Sequence, residues 1–565
     1  MKLLGISAFH RDSAAALIVD GVPVASIQED RFTKRLQDEA FPTRAARACL
    51  AHGNLQMRDL DGVVFYEKPL RKFERVLATQ LEAFPKSAKS FSRNMFMWLG
   101  DRLWMKNRIA DELEFEDTSK IYFTEHQMAH AASAFYLSPH EQAAILTIDD
   151  IGEWATTVLA SGSGTAIDVH SEVRFPHSIG LFVSAIAQYL GLEPGAQDHQ
   201  LEALAAYGQA RFLAAFERLL PRTGDGSFAV EQSYFRYSFD HERLFTDKLE
   251  DLLGPARIAT APLRFSSEDS RDADVACSLQ AVIELRALDL CRKLYAVAPS
   301  RALCFGGRLA DNRGLCARIL ADGPFETLFV PPCPDDSGAA LGAALYVHHT
   351  LQPQSKRAAD ANPFLGVAID SRPEEGAVQV QNPEALILER LLAGQRLAWV
   401  RGRLELGDRS LGHRSLLADP RPENARNLLL QTVQHAEPFL PTRLAVPEEA
   451  AAEYFELPSG GSACVRFAKL FVPATEKLKQ FAPSAIRPDG SAWPQIVRAA
   501  DDPAFHKLLI EFGKATGAPL LLHDTFSLRG SPIVRVEGDA HDAFQRSSLD
   551  CLVVEDRVYE RAEAR

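Results

Sequence analysis

The stretch GISAFHRDSAAALIVDGV, residues 5–22, decides how the beginning of the chain folds. One apolar run enters a short polar segment and a second leaves it, which predicts two strands joined by a turn. A third run, PVASIQE, extends the pattern to a three-stranded meander. The polar segment contains His10, Arg11 and Asp12, which are more reactive groups than a hairpin turn needs. The first question is therefore whether His10 or Arg11 acts in a functional site.

The same alternation returns near residue 143. AAILTID is apolar, DIGE turns, WATTVLAS is apolar again, and a GSG turn leads to TAIDVHSEV. Helical sequence follows each meander, including a long apolar-periodic run at residues 273–296. Two units with one pattern predict a duplicated α/β domain, and coincidence between two ordinary meanders is the alternative.

Length and composition limit the class of protein. The chain has 565 residues, 46% hydrophobic and 24% charged, which predicts a globular protein of two or more domains. Its net charge of −13 disfavours a nucleic-acid partner. The N-terminus lacks the shape of a signal peptide, and no run of about 18 apolar residues occurs, so we expect a cytoplasmic protein without a membrane partner. A homodimer is an expectation from base rates alone.

A polar, proline-containing stretch near residues 350–375 separates two apolar-periodic regions. Such a stretch is typical of a linker between domains. The sequence therefore predicts a first domain, a linker and a second domain at residues 1–355, 356–375 and 376–565.

Residues 86–108 mix basic side chains with Phe, Met and Trp. We expect an amphipathic helix that packs on the first domain or forms a wall of an acceptor pocket. A membrane-surface helix is the less favoured alternative.

Two histidines indicate a metal site. His126 and His130 are four residues apart, so in a helix both imidazoles lie on one face. Asp335 and Asp336 precede a Gly/Ala-rich helix, where an aspartate can cap the helix or face a ligand. Two histidines and an aspartate would suit iron, manganese or zinc. The alternative is a pair of helix histidines that cap or pack.

Acidic and glycine-rich turns indicate a nucleotide site. Asp149 and Asp150 end an apolar run of the second repeat, as Asp12 follows one in the first, and such paired turns suit a metal–phosphate position. Gly306 and Gly307 would let the backbone approach a phosphate or a flat ligand closely. All five could also be ordinary turn residues.

The second domain contains a loop region dense in arginine, GRLELGDRSLGHRSLLADPR, which includes Arg409 and Arg414. Arg529 follows in a later glycine-flanked turn. Several guanidinium groups on loops favour recognition of phosphate or carboxylate. Surface ion pairing is the alternative.

Seven motifs follow one another along the chain: GISAFHRDSAAALIVDG, HQMAHAASAFYLSP, LTIDDIGEWATT, PHSIGLFVSAIAQYLGL, VPPCPDDSGAALGAAL, GRLELGDRSLGHRSLLADPR and TFSLRGSPIV. Together they resemble the O-carbamoyltransferases of the nodulation protein U, cephem and tobramycin carbamoyltransferase family. The resemblance covers nearly the whole chain.

The resemblance implies an α/β fold in two parts. The first part would be a duplicated actin-like ATPase domain close to the tRNA threonylcarbamoyl-transfer protein. The second would be similar to the protein that makes threonylcarbamoyl adenylate. It also implies that the C-terminal domain joins carbamoyl phosphate and ATP into carbamoyl adenylate. A hydroxyl of a small natural-product or sugar acceptor would then attack the carbonyl in the N-terminal domain.

The resemblance also implies roles for particular residues. His126, His130 and Asp336 would hold an iron ion near the nucleotide phosphates, and magnesium could accompany the ATP. The remaining implied roles are catalysis by His10, Arg11 and Asp12, nucleotide binding by Asp12, Asp150, Gly152, Gly306, Gly307 and Asp311, and donor-phosphate binding by Arg409, Arg414 and Arg529.

The chain departs from the family pattern at four places. The family's first turn reads Tyr-His-Asp-Ser, so Arg11 stands where the proposed catalytic histidine belongs, and Gln200 replaces a lysine. The loop at residues 434–440 has neutral residues at three cationic positions, and residues 523–527 read HDTFS instead of Asn-Thr-Ser-Phe-Asn. Because carbamoyl phosphate is doubly anionic, these changes alter the expected donor pocket.

Three functions remain open from the sequence. The first is ATP-dependent O-carbamoyl transfer, which predicts pyrophosphate release that depends on carbamoyl phosphate. The second keeps adenylate chemistry with another carboxylate or an amine acceptor. The third is a nucleotide-binding partner protein without catalysis.

Overall fold

The first meander forms one edge of a five-stranded sheet. A computed structural model describes residues 1–358, 361–434 and 437–561. The first sheet has the order β3-β2-β1-β4-β5, with the meander antiparallel and the last two strands parallel to β1. Its strands are β1 (Lys2–Ser7), β2 (Ala14–Val19), β3 (Val22–Gln28), β4 (Gly62–Phe65) and β5 (Ile121–Phe123).

The second sheet repeats this arrangement. Its order is β8-β7-β6-β9-β10, again with an antiparallel meander followed by two strands parallel to its first strand. The prediction of a duplicated α/β domain is therefore confirmed, and both turns after the first strand lie at equivalent places. The strands are β6 (Gln142–Ile148), β7 (Ala155–Ser163), β8 (Ala166–Arg174), β9 (Ala302–Gly306) and β10 (Thr327–Phe329).

Helices join and cover these two sheets. The long helix predicted at residues 273–296 is α11, and α6 packs closely against α13. The helices of this part are α1 (Asp30–Thr33), α2 (Thr43–His52), α3 (Pro69–Glu82), α4 (Ala88–Gly100), α5 (Met105–Leu113), α6 (His126–Tyr136), α7 (Ile179–Tyr189), α8 (Asp198–Ala205), α9 (Leu213–Leu219), α10 (Asp247–Leu253), α11 (Arg271–Val297), α12 (Arg313–Asp322) and α13 (Asp336–Leu351).

The C-terminal part contains a nine-stranded mixed sheet of order β11-β19-β18-β12-β13-β17-β14-β16-β15. Its strands are β11 (Val378–Gln379), β12 (Leu397–Val400), β13 (Arg414–Ala418), β14 (Arg443–Pro447), β15 (Val472–Pro473), β16 (Ser491–Val497), β17 (Leu521–Thr525), β18 (Cys551–Val554) and β19 (Arg557–Glu560). Its helices are α14 (Pro383–Leu392), α15 (Ala425–Thr432), α16 (Ala451–Tyr454), α17 (Ser462–Arg466), α18 (Glu476–Phe481), α19 (Pro503–Thr516) and α20 (Glu537–Arg546).

The segment between the two parts packs on the first sheet for part of its length. Leu365 is buried, and its carbonyl accepts a 2.8 Å hydrogen bond from the backbone N–H of Ser26 in β3. Arg403 donates to the carbonyls of Val24, Leu365 and Gly366, at 2.8 Å in each case. The C-terminal part is thereby tied to an edge strand of the N-terminal sheet.

The amphipathic segment at residues 86–108 forms α4 and the beginning of α5. Trp98 packs inward, whereas the side chains of Phe96 and Trp104 are 85% and 61% exposed. This segment does not contribute to the lining of the cavity described below, so a role as the wall of an acceptor pocket stays a prediction. Among the described residues, no helix has the length and apolar character needed to cross a bilayer.

Candidate active site

Four metal-ligating side chains converge between the two sheets. His126 and His130 lie one turn apart on α6, Asp149 follows β6, and Asp336 is the first residue of α13. Nε2 of His126 lies 3.2 Å from Nε2 of His130 and 2.7 Å from Oδ2 of Asp149. Oδ1 of Asp336 lies 3.3 Å from Nε2 of His130. All four residues are buried, and their ligand atoms lie within 4.8 Å of one another.

The donor set of this cluster fits a divalent transition metal. Two imidazoles and two carboxylates suit iron, manganese or zinc. Oδ1 of Asp336 is buried without a hydrogen-bond partner, and such an orphaned atom is costly unless a ligand satisfies it. Spacing in the sequence had paired the two histidines, and the family resemblance had added Asp336. Asp149 is the additional member, which the sequence had indicated only as part of an acidic turn.

A second layer of groups orients the two imidazoles. Nδ1 of His130 donates to the carbonyl of Pro334 at 3.1 Å, which leaves Nε2 for the cluster. Nδ1 of His126 lies 3.3 Å from Oε1 of the buried Glu67. Carbonyl and carboxylate partners of this kind fix the ring orientation of metal-binding histidines. Glu67 has no sequence signal that would have linked it to His126.

The charges of the cluster compensate one another. Burial alone would lower the pKa of His130, but the Asp149 carboxylate outweighs it and raises that pKa to about 9. Burial alone would raise the pKa of Asp336, yet His10, His126 and His130 lower it below the usual range of a carboxyl. The carboxylates therefore favour the charged form of His130, and a metal ion bound at its Nε2 would compete with that proton.

Three glycines expected at the nucleotide allow close backbone packing. A Cβ on Gly306 would lie 2.9 Å from the carbonyl oxygen of His130, and one on Gly307 would lie 2.5 Å from that of Ile148. A Cβ on Gly152 would lie 3.0 Å from Cβ of His126. None of the three lines the described cavity. Their lack of a side chain lets α6 pack closely against β9 and the turn after β6, and their contact with a phosphate stays a prediction.

The two basic residues in the turn after β1 contact different acidic residues. His10 Nδ1 donates to Oδ2 of Asp336 at 2.8 Å, so His10 contacts the cluster of candidate metal ligands directly. Arg11 pairs with Oδ2 of Asp150 at 3.1 Å. A Cβ on Gly195 would lie 1.9 Å from Cζ of Arg11, so a side chain at this position would displace the guanidinium from its present place.

Arg308 organises the acidic turn of the second repeat. Its guanidinium binds both Asp150 and Asp198, and its backbone N–H donates to Oδ1 of Asp149 at 2.9 Å. Burial would lower the pKa of Arg308, but Asp150 and Asp198 raise it further above its usual range. The sequence did not single out Arg308, because its partners come from distant parts of the chain.

A cavity of about 440 Å³ joins the two parts of the molecule. The N-terminal part contributes the turn after β1, the acidic turn after β6 and the start of α13. The C-terminal part contributes aromatic, acidic and basic side chains. The lining residues that had been predicted from the sequence are His10, Arg11, Asp12, Asp150, Asp311, Asp336, Arg409 and Arg529.

The arginines of the C-terminal part have different surroundings. Arg409 lines the cavity, and Arg529 lines it while pairing with Oε1 of Glu437 at 2.7 Å. Arg414 does not line it: the side chain is fully buried and donates to the carbonyls of His413 and Gly402. The prediction that Arg414 binds donor phosphate is corrected accordingly, since its guanidinium is committed to the backbone.

The stretches of sequence that depart from the family pattern in the expected donor pocket also contribute to this cavity. Asp524 and Thr525 line it, whereas His523 is buried behind them with Nε2 2.8 Å from Oγ of Ser415. Burial, with Arg443 adding to it, holds the pKa of His523 well below its usual value. Asp311 pairs with Lys469, a cation that the sequence did not indicate. In the loop at 434–440, the departures at His435 and Ala436 lie outside the described residues.

The repeated sheets, the buried metal-ligating cluster and the shared cavity define a two-domain α/β protein with a site between its parts. The chain belongs to the carbamoyltransferase family. The family model described as "Carbamoyltransferase N-terminus" matches residues 2–345, and "Carbamoyltransferase C-terminus" matches residues 388–561. The expected family is therefore confirmed, and it is a family of transferases.

Several known proteins are similar in sequence to most or part of this chain. The "Uncharacterized protein sll1178" of Synechocystis sp. is 34% identical over 98% of this chain and 96% of its own length. "Nodulation protein NolNO" of Sinorhizobium fredii is 29% identical over 97% of this chain and 78% of its own. The "3'-hydroxymethylcephem-O-carbamoyltransferase" of Streptomyces clavuligerus is 28% identical over 42% of this chain and 45% of its own.

Proposed function

We propose that this protein is an ATP-dependent O-carbamoyltransferase that works through carbamoyl adenylate on a hydroxyl of a small natural product or sugar. The observation that carries the proposal is that one cavity is lined by Asp149 and Asp336 of the histidine–aspartate cluster, by the His10 turn, and by Arg409 and Arg529. An activated carbamoyl group formed among the C-terminal residues would reach the N-terminal turn without leaving the protein.

Adenylation has a chemical reason. Water would first cleave carbamoyl phosphate into carbamate and inorganic phosphate. An oxygen of the carbamate would then attack the α-phosphorus of ATP, the bond from that phosphorus to the bridging oxygen of the β-phosphate would break, and pyrophosphate would leave. The carbamate oxygen, a poor leaving group, thereby becomes part of AMP, a better one. Arg409 and Arg529 would bind the anionic donor, since guanidinium groups recognise phosphate and carboxylate. Trp493 and Phe471 line the same region, and the guanidinium groups of Arg313 and Arg487 lie over their rings.

Carbamoyl transfer would take place at the turn after β1. The acceptor oxygen attacks the carbonyl carbon, and the bond from that carbon to the AMP oxygen breaks. We propose His10 as the base, because Asp336 holds it through Nδ1 and leaves Nε2 for the acceptor proton. Arg11 stays protonated and cannot accept a proton, so it would stabilise phosphate charge beside Asp150.

His126, His130, Asp149 and Asp336 would hold a divalent metal, and iron is the choice that the family resemblance favours. When bound, the metal would supply electrophilic stabilisation of phosphate charge. The protein's own share is to orient both imidazoles through Pro334 and Glu67.

One assay panel tests the overall function. The purified protein would receive ATP with carbamoyl phosphate, with other carboxylates, or with no donor, and pyrophosphate would be followed. We expect release only with carbamoyl phosphate. Release with another carboxylate alone, or tight ATP binding without any turnover, would contradict the proposal.

A His10→Asn variant tests the base. We expect a loss of transfer of about 100-fold or more, with pyrophosphate release retained, because a positioned base typically contributes that much. Metal content measured alongside separates this effect from damage to Asp336. Full transfer activity in the variant would remove His10 from the mechanism.

A further inference from the structure

A second group of carboxylates lies on the wall of the cavity, apart from the histidine cluster. Asp12 comes from the turn after β1, Asp30 begins α1, and Asp408 lies in the arginine-rich loop of the C-terminal part. One carboxylate oxygen from each lies within 4.8 Å of the other two. Asp12 and Asp408 face the cavity, which opens the group to a ligand from solution.

Asp12 is the member without compensation. It is 6% exposed, and its Oδ1 is buried without a hydrogen-bond partner. Among the described residues, Arg31 is the cation of this group, and its guanidinium bonds the other two members: Nη1 donates to both oxygens of Asp30, and Nη2 donates to Oδ1 of Asp408 at 3.0 Å. An uncompensated buried carboxylate is strongly destabilising unless it is protonated or binds a cation.

The charges of the group match one divalent cation. When all three carboxylates are ionised, the group of three aspartates and Arg31 has a net charge of −2. Burial, with Asp408 adding to it, raises the pKa of Asp12 well above the usual range. Burial likewise raises the pKa of Asp30, to about 6. Both shifts arise mainly from burial, and the neighbouring Asp408 adds to them.

We propose that Asp12, Asp30 and Asp408 bind a hard divalent cation, Mg²⁺ or Ca²⁺, which bridges the N-terminal turn and the C-terminal loop. An all-oxygen donor set suits these ions, unlike the imidazole-containing cluster. Opposite ligands of Ca²⁺ are about 4.8 Å apart and those of Mg²⁺ about 4.1 Å, so either ion is within reach of small side-chain movements. Water from the cavity completes the shell.

The site has a consequence for ligand binding, which rests on the proposed function. Asp311, Asp335 and Asp524 also line the cavity, and neutral residues replace cations expected in its donor region. A bound cation supplies positive charge to the same wall. It would attract a phosphorylated donor and join the two parts of the protein at the place where that donor binds.

Direct Mn²⁺ binding tests the site without any turnover. The full-length protein is titrated with Mn²⁺ and free ion is followed by electron paramagnetic resonance. We expect two classes of site, of which His130→Ala removes one and Asp408→Asn weakens the other at least tenfold. Competition by Mg²⁺ and by Ca²⁺ for the Asp408-dependent class identifies which ion the site prefers.

The matched control is Asp539→Asn, which removes an acidic group that pairs with Lys34 across the two parts but lies outside the group of three. It should bind Mn²⁺ as the unmodified protein does. The Asp408→Asn variant keeps a hydrogen-bond acceptor for Gln28 and Arg31. The midpoint of its thermal unfolding verifies that the variant folds. Mn²⁺ affinity and stoichiometry unchanged in Asp408→Asn, or complete loss of Mn²⁺ binding in His130→Ala, would overturn the proposal.

Discussion

At the scale of single residues, the neighbouring side chains of the first turn have separate partners. His10 contacts Asp336 of the metal cluster, and Arg11 contacts Asp150 of the second repeat. Adjacent residues in a turn point in different directions, so the exchange of the family's histidine for Arg11 leaves an imidazole beside the cluster. Of the two basic residues in this turn, His10 is therefore the one whose surroundings decide whether it can act as the proposed base.

Glu67 offers a residue-scale prediction about metal affinity. Glu67→Gln removes the carboxylate charge 3.3 Å from Nδ1 of His126 and keeps the side-chain shape. We expect metal affinity to fall by about 10- to 100-fold, as for other partners of metal-binding histidines. Metal retention against a chelator measures the change. The exposed Glu74→Gln on α3 is the control, and equal retention in both variants would exclude a role for Glu67.

At the scale of elements, the crossing of α6 and α13 brings the cluster together. A Cβ on Gly342 of α13 would lie 2.0 Å from the carbonyl oxygen of Ala129 in α6. The two helices therefore approach as closely as their backbones permit. His126 and His130 on one helix and Asp336 on the other can share one metal ion only because of this crossing.

Gly342→Ala is expected to force the two helices apart. The free energy of unfolding should fall by about 1–3 kcal/mol, as for other overpacked sites, and metal should be retained less well. Chemical denaturation measures the first effect. Gly100→Ala at the end of α4 is the control, since its Cβ would meet nothing within 4 Å. A variant at 342 as stable as the one at 100 would show that the crossing tolerates a side chain.

The far end of α13 provides a pH-dependent prediction. Burial, followed by the nearby His348, lowers the pKa of His349 from 6.5 to about 4. The unfolded chain therefore takes up a proton first as the pH falls, so this contribution is complete above pH 6.5 and is lost toward pH 4. The loss amounts to at most about 3 kcal/mol.

Replacement of His349 should remove its contribution to the pH dependence of the free energy of unfolding. We expect the free energy of unfolding of His349→Gln to fall less steeply between pH 7 and pH 4.5 than that of the unmodified protein. Denaturant titrations across this range measure the difference. His170→Gln, at an exposed strand position, should follow the unmodified protein. Parallel curves for all three proteins would contradict the assignment.

At the scale of the whole molecule, the cavity exists because the two parts of the chain are held together. Arg403 joins β3, the connecting segment and the C-terminal part through three backbone carbonyls. Lys34 pairs with Asp539 across the same boundary. Phe265 and Phe439 meet with ring centroids 5.6 Å apart. These contacts place both halves of the proposed reaction on one cavity.

Arg403→Ala tests this attachment. Loss of three hydrogen bonds to carbonyls should lower the free energy of unfolding by about 2 kcal/mol and increase protease cleavage of the connecting segment. Arg372→Ala is the control, because that side chain is 84% exposed and makes one surface ion pair. Identical stability and cleavage in both variants would mean that Arg403 does not hold the two parts together.

The sequence by itself determined the repeated sheets, the long helix at residues 273–296 and the pairing of His126 with His130. These depend on local periodicity and on spacing within a single helix, which are properties of neighbouring residues. It also indicated the turn at residues 10–12 as a candidate site, although it could not assign separate partners to His10 and Arg11.

Only the tertiary structure decided which distant groups meet. Asp149 joins the cluster because β6 ends beside α6, and Arg308 reaches Asp150 and Asp198 from another loop. Arg414 is turned into the interior, although its motif looked like a phosphate-binding loop. The physical reason is common to all of them: charge compensation and close packing act between groups far apart in the chain, and their distances arise only when helices and sheets pack.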